Sequence, residues 1–239
     1  MIKKVVLQPA IVLHKRPYKE TSFLVDFFTR DYGKISAIAQ GARRPKSLLR
    51  ETFTPFGILL ITYSGRNDLK KLFESEVDYR PQEVSNFTYS CLIYVNELIM
   101  SFLQKEDPHL NLFESYVFLC RHMAKLNKQS EIEILLRRFE LTLLQEIGYG
   151  IDLKHEANSE NRLKSDLFYK FDPSVGFFHE KGLGHETNTY FQGKNIIKFS
   201  EGCFDELEVR KTAKLITRHA LDYHLNGKEI KSRNYFSRQ

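Results

Sequence analysis

The densest cluster of residues able to do chemistry is Gly41-Ala42-Arg43-Arg44-Pro45-Lys46-Ser47, followed by Arg50. Glycine and proline prevent an ordinary helix there. Cations this close repel one another unless an anion is near. The usual fate of such a run is a solvated loop. Phosphate contact is the favoured reading here, because Lys15, Arg16, Lys34 and Arg66 also fall in loops or at strand ends of the same region. Contacts of that kind fix a protein on a nucleic-acid backbone without reading its base sequence.

The charge is segregated along the whole chain. Residues 1–80 carry a balance of +7, residues 81–209 one of −7, and residues 210–239 one of +6. Two basic poles flank an acidic middle, so a polyanion meets the ends and avoids the centre. Nucleic acid is the commonest polyanion met by a basic module.

Signals for catalysis are absent, so no catalytic residue is assigned. There is no Walker-type Gly-Lys-Ser/Thr loop, no G-x-S-x-G and no H-E-x-x-H. Glu74 and Glu76 are two apart on a strand and share a face, but no third ligand is apparent to make a metal-dependent nuclease. His155, His179, His185 and Cys203 lack the C-x-x-C spacing of a zinc site and read as unrelated residues. Cys91, Cys120 and Cys203 are far apart and odd in number, which fits a reducing compartment, by default the cytosol. Asn86-Phe87-Thr88 matches a glycosylation sequon that has no meaning without secretion. No apolar run approaches the roughly 20 residues of a membrane span. The start, Met1 to Val5, reads as the beginning of a strand rather than a signal peptide.

A chain of 239 residues with 42% hydrophobic and 28% charged residues has the composition of a folded protein, and its length fits two domains. Residues 1–80 read as β: strands begin at Val5, run over Ser22–Phe28, Ile35–Ala39 and Phe53–Tyr63, and end with Leu69–Val77. Five short strands in this span predict an oligonucleotide-binding (OB) barrel. Its aromatics are Tyr18, Phe23, Phe27, Phe28, Tyr32, Phe53, Phe56, Tyr63 and Phe73. Most are expected in the core, with Tyr18, between Pro17 and Lys19, the best candidate for exposure.

From Arg80-Pro81 the spacing becomes helical. One helix carries Phe87 to Phe102 and ends near Asp107-Pro108. A second carries Leu112 to Leu126. A third opens with a capping box at Ser130 and Glu133 and closes at Gly148. Leu167–Phe171 and Gly176–His179 predict a hairpin turning at Asp172-Pro173. Ile196–Phe199 predicts one more strand, and Asp205 to Leu225 the last helix. The fold class is therefore α+β: a barrel domain over 1–80, a helical domain over 81–227 with an irregular β insertion at about 150–203, and a basic, mobile tail over 228–239.

Arg137 and Arg138 stand beside the apolar stripe of the third helix, where side chains flank a groove. A groove with cations at its rim suits a peptide that is both acidic and hydrophobic. On the residues alone, arginines tied to Glu133, Glu140 and Glu146 are the preferred account.

The chain resembles the RecO family of bacterial recombination mediators over most of its length. The likeness is strongest in Tyr18-Lys19-Glu20-Thr21-Ser22, Phe28-Thr29, Gly33-Lys34, Gly41-Ala42-Arg43, Pro55-Phe56 and Tyr94-Val95-Asn96-Glu97-Leu98. It continues in Leu136-Arg137-Arg138-Phe139-Glu140, Gly148-Tyr149-Gly150, Leu225-Asn226-Gly227-Lys228 and Lys231-Ser232-Arg233. No single piece is specific; their order and spacing are. The resemblance implies an OB barrel, a helical domain and a non-enzymatic role in recombinational repair at the nucleoid. It implies binding of single- and double-stranded DNA, annealing of complementary strands, and loading of the RecA recombinase, with RecR, onto DNA coated by single-stranded-DNA-binding protein (SSB). It also implies that the helical domain holds the acidic C-terminal tail of SSB, and Arg137 matches a position implicated there. That moves the preference for Arg137 away from a purely structural role. Some members carry a four-cysteine zinc module, and this chain, with only Cys203 in that region, is expected to bind no zinc and no other cofactor. A sequence-specific regulator and a metal-dependent nuclease are the alternative readings.

Overall fold

A computed structural model describes residues 4–47, 49, 52–81, 84–179 and 190–238. Arg50 and His185 lie outside them. The chain divides into two compact units, residues 1–132 with 230–239, and residues 133–229.

The first unit is built on five strands: β1 (Lys4–Tyr18), β2 (Ser22–Thr29), β3 (Gly33–Ala39), β4 (Ile58–Ser64) and β5 (Leu69–Tyr79). They close in the order β1-β2-β3-β5-β4, as the OB barrel expected from the sequence. Every pair is antiparallel except β3 with β5, which run parallel from Ser36 opposite Leu69 to Ala39 opposite Leu72. The interior is packed by Val12, Val25, Phe27, Ile35, Ala37, Leu59, Ile61 and Leu72.

The β3–β4 connection takes part in that core. Ala42 and Phe53 are fully buried with the barrel residues, and Phe53 meets the edge of Phe27 with ring centroids 6.0 Å apart. This is why β4 starts at Ile58 and not at Phe53 as predicted: Phe53 closes the barrel, and Phe56 turns the chain with φ of +65°.

Helices α1 (Asn86–Phe102) and α2 (Leu110–Met123) complete this unit. Ser85 caps α1, its hydroxyl accepting from the Thr88 backbone N–H at 3.1 Å. α1 ends at Phe102, a turn earlier than Asp107-Pro108. β1 carries an irregularity between Val12 and His14. There the buried Asn96 of α1 donates from Nδ2 to Leu13 O at 2.8 Å, and its Oδ1 accepts from the Tyr116 hydroxyl of α2. One amide thus ties two helices to the barrel. The end of the chain is also fixed here, contrary to the expected mobile tail. A 3-10 helix, Lys231–Arg238, is anchored by the Glu97 carboxylate, which accepts from the backbone N–H of Lys231 (2.9 Å) and Ser232 (2.8 Å). Ile230 and Ser232 are buried.

The second unit contains most of α3 (Gln129–Glu146), the sheet β7-β6-β8, and helices α4 (Gly193–Ser200) and α5 (Leu207–His224). The strands are β6 (Phe168–Asp172), β7 (Gly176–Phe178) and β8 (Tyr190–Gln192). β6 and β7 form the expected hairpin. α3 starts at Gln129, with the Ile132 N–H on Lys128 O, so Ser130 lies inside the helix and caps nothing. Ile196–Phe199 is helical, in α4, and not a strand. Ile196 and Phe199 are three apart and both buried, a spacing that a short apolar run does not separate from a strand. β8 is the third strand, and it escaped the sequence reading.

Asn96→Ala leaves the Leu13 carbonyl and the Tyr116 hydroxyl without this partner. It is expected to lower the unfolding free energy by about 1–3 kcal/mol, read by chemical denaturation.

Candidate nucleic-acid interface

The strand registers sort the predicted cations by barrel end. The β1–β2 turn and the β3–β4 connection lie at one end; the β2–β3 and β4–β5 turns lie at the other. Lys15, Arg16, Arg43, Arg44 and Lys46 belong to the first end. Lys34 and Arg66 belong to the second.

At the first end the loop is fastened to the hairpin. Arg43 donates from its backbone N–H to Thr21 O at 2.9 Å and from Nη1 to Lys19 O at 3.0 Å. Gly41, with φ of +69°, makes the turn in which the Arg44 N–H reaches Gly41 O at 3.0 Å. The Ser47 N–H bonds Arg44 O at 3.0 Å in the next turn. Ala42, between Gly41 and Arg43, is pulled into the core, so Arg43, Arg44 and Lys46 are left exposed around it. On β1, Arg16 is exposed and Lys15 stands 5.1 Å above the Phe23 ring. Partial burial pulls the Lys15 ammonium below the usual lysine pKa. Lys19, which the sequence reading did not single out, is exposed at the hairpin tip with its ammonium 5.6 Å from the Tyr18 ring. Its place in the turn beside two cationic β1 residues was the available signal.

Lys34 is committed elsewhere. Its Nζ donates to Met100 O at 2.9 Å, in the last turn of α1, where the unsatisfied carbonyls favour a cation. Arg66 is exposed in the β4–β5 turn.

In the second unit, Arg137 does not stand at a rim. Its side chain is only 8% exposed, Nη2 lies 2.8 Å from Oε1 of the fully buried Glu140, and Nη1 donates to Thr217 Oγ1 of α5 at 3.0 Å. The preferred account from the residues, an arginine tied to Glu140, is therefore present. The same Arg137 also lines a narrow cleft of about 10 Å³ with Glu133, Ile134, Phe204, Arg210 and Lys214. Arg210 donates from Nη1 to Phe204 O and Asp205 O, and Lys214 Nζ is 3.7 Å from Glu133 Oε1. The cleft combines apolar walls with Arg210 and Lys214 near Glu133, while the Arg137 charge is matched by Glu140 beneath it. Arg210 and Lys214, four apart on α5, share one helix face; the sequence reading counted them only within the basic 210–239 stretch. Arg138 is exposed and not among the cleft's lining residues.

His155 Nδ1 is 2.9 Å from Asp152 Oδ2, His179 Nδ1 is 3.0 Å from Phe168 O, and Cys203 is exposed. Among the described residues no group of three or more His, Cys, Asp or Glu is placed to hold a metal ion, and no helix is long and apolar enough to cross a membrane.

Removing one partner of a buried ion pair strands the other. Arg137→Ala is therefore expected to cost about 3–5 kcal/mol in chemical denaturation. Arg44→Ala, at an exposed position, is expected to change stability by no more than about 0.5 kcal/mol, and Arg43→Ala, which gives up the bond to Lys19 O, by about 0.5–1.5 kcal/mol.

Comparison with known proteins agrees with this architecture. The family model "Recombination protein O N terminal" matches residues 1–79, and "Recombination protein O C terminal" matches residues 85–234. The chain is 35% identical over 234 residues to the DNA repair protein RecO of Coxiella burnetii, covering 98% of each. It is 34% identical over 230 residues to the DNA repair protein RecO of Aliivibrio salmonicida, covering 96% of this chain and 94% of that one. With the RecO of Glaesserella parasuis the identity is 36%, over the same shares. Barrel, helical segment and full-length similarity together place this chain in the RecO family of DNA repair proteins.

Proposed function

We propose that this chain is a non-enzymatic recombination mediator that binds single- and double-stranded DNA, anneals complementary strands, and helps load RecA with RecR onto SSB-coated single strands. It acts in the cytoplasm, at the nucleoid. Residues 1–80 are the DNA-binding domain, residues 81–227 the helical domain with its insertion, and residues 228–239 a basic C-terminal segment.

The observation that carries the reading is the fastened cationic end of the barrel. Arg43 is bonded to the β1–β2 hairpin, and its neighbours Arg44 and Lys46 are exposed at the barrel end that also carries Lys15 and Arg16. Cations held on a rigid frame lose little entropy when a phosphate arrives. None of them lies on a helix that could enter a groove, so the reading is backbone contact and not base readout. Arg66 is exposed at the other end of the barrel and Lys34 is bonded to Met100 O, so neither belongs to this cluster.

The α3–α5 cleft supplies the second contact. Ile134 and Phe204 offer apolar surface, Arg210 and Lys214 offer positive charge, and Arg137 lines the same cleft. Arg138 adds charge outside it. That chemistry suits the acidic, hydrophobic tail of SSB. The steps follow from these contacts. The cleft keeps the protein on coated DNA, the barrel cations neutralise phosphates of strands that otherwise repel, and base pairing provides the free energy. No nucleotide is consumed.

The test is annealing of complementary oligonucleotides coated with SSB, without nucleotide, and with tail-deleted SSB as control. Faster annealing that depends on the tail is expected; equal rates with and without the chain contradict the reading. Log affinity for single strands should fall linearly with log salt, and Arg43→Ala, Arg44→Ala and Lys46→Ala together should reduce that slope by about 2. Binding of the SSB tail should survive this triple change and weaken in Lys214→Ala, which does not strand a buried charge. Equal loss of both activities in either variant indicates misfolding or a shared site.

A further inference from the structure

We propose that Phe73, with Lys4 and Lys71, forms a stacking platform for an unpaired nucleobase on the outer wall of the barrel, separate from the cationic loop. The inference rests on the nucleic-acid reading above and deepens it by naming the base contact.

Phe73 lies within β5, yet it is 43% exposed. The other barrel aromatics have other duties. Phe27, Phe28, Phe53, Phe56 and Tyr63 are buried, Phe23 and Tyr32 pack against the core, and Tyr18 is half-buried. Phe73 therefore offers π surface to solvent where a packed ring would be expected. Two ammoniums attend it: Lys4 Nζ is 5.5 Å and Lys71 Nζ 5.3 Å from the ring centroid. The register explains why. Lys4 of β1 pairs with Ser64 of β4, and Ser64 with Lys71 of β5, so both lysines share one outer row. Phe73 is left unpaired where the β4–β5 register shifts between Thr62 and Tyr63, and its exposed ring lies on the side of Lys71.

An exposed ring flanked by lysines takes a flat, electron-rich group attached to an anion, which describes a nucleotide in a single strand. The base stacks on the ring, and the lysines turn to its phosphates. The exposed carboxylates Glu74 and Glu76 follow on β5 and repel a backbone that strays further along the strand. Bases in a duplex are already stacked on one another, so the platform favours single strands. A mediator that must hold an unpaired strand before its complement arrives needs such a preference.

The chain contains no tryptophan, so Phe73→Trp introduces a single indole at the platform. Its emission is expected to be quenched by a short oligodeoxyadenylate and not by a duplex of the same length. Phe73→Ala, and Phe73→Leu, which keeps apolar bulk without a π face, are expected to bind the oligodeoxyadenylate roughly 5- to 100-fold more weakly. Duplex affinity should stay within about two-fold. The thermal midpoint of each variant is read alongside, and Phe73→Leu decides the matter if Phe73→Ala unfolds. Unchanged single-strand affinity in Phe73→Leu, with silent Trp emission, overturns the platform while leaving the cationic loop standing. Equal weakening for single strands and duplex also overturns it. No binding of either probe by the unmodified chain overturns the nucleic-acid reading and the platform with it.

Discussion

The interaction on which the rest depends is the insertion of Ala42 and Phe53 into the barrel core. A five-stranded barrel this small needs side chains from outside its strands to fill its end. The β3–β4 connection supplies them. Ala42 and Phe53 are buried, and the cations that follow Ala42, Arg43, Arg44 and Lys46, face water. The bonds from Arg43 to Thr21 O and Lys19 O then join the connection to the neighbouring hairpin. Hydrophobic burial, which carries no charge information, thereby places a cluster of like charges that would disperse if the loop were free.

The same logic runs through the remainder of the first unit. Closing the barrel puts an irregularity in β1 and leaves the Leu13 carbonyl in need of a donor, and Asn96 of α1 provides it. The adjacent Glu97 binds the first N–H groups of the terminal 3-10 helix, and Arg233 stands 5.8 Å from the Tyr94 ring. The segment Tyr94-Val95-Asn96-Glu97-Leu98 is thus a structural junction. In the second unit, Glu140 is buried and Arg137 neutralises it from one turn away while Thr217 takes a further guanidinium N–H.

Features set by local pattern were legible in the sequence. The five strands, the helices over 86–146 and the β6–β7 hairpin follow from alternation and helical spacing, and the ordered set of family segments pointed to the barrel. What escaped depends on partners distant in the chain. Phe53 reads as strand because nothing nearby shows that it plugs a barrel. Phe73 reads as core because its exposure is decided by which strands close over which face. The burial of Arg137 requires Thr217, eighty positions away. The C-terminal segment looks mobile until Glu97 is placed beneath it. Ile196–Phe199 failed for a local reason, since four residues hold too little periodicity to separate strand from helix.

The central claim is that the barrel, at its fastened cationic end, is where nucleic acid is gripped. Backbone amide hydrogen exchange of the whole chain, with and without a short single-stranded oligonucleotide, tests it directly. The account predicts a slowly exchanging Arg43 amide in the free protein and, on adding the oligonucleotide, added protection confined to the barrel and greatest over residues 15–21 and 41–47. An Arg43 amide that exchanges at the rate of an unstructured peptide, or protection that appears only in the helices, would contradict it.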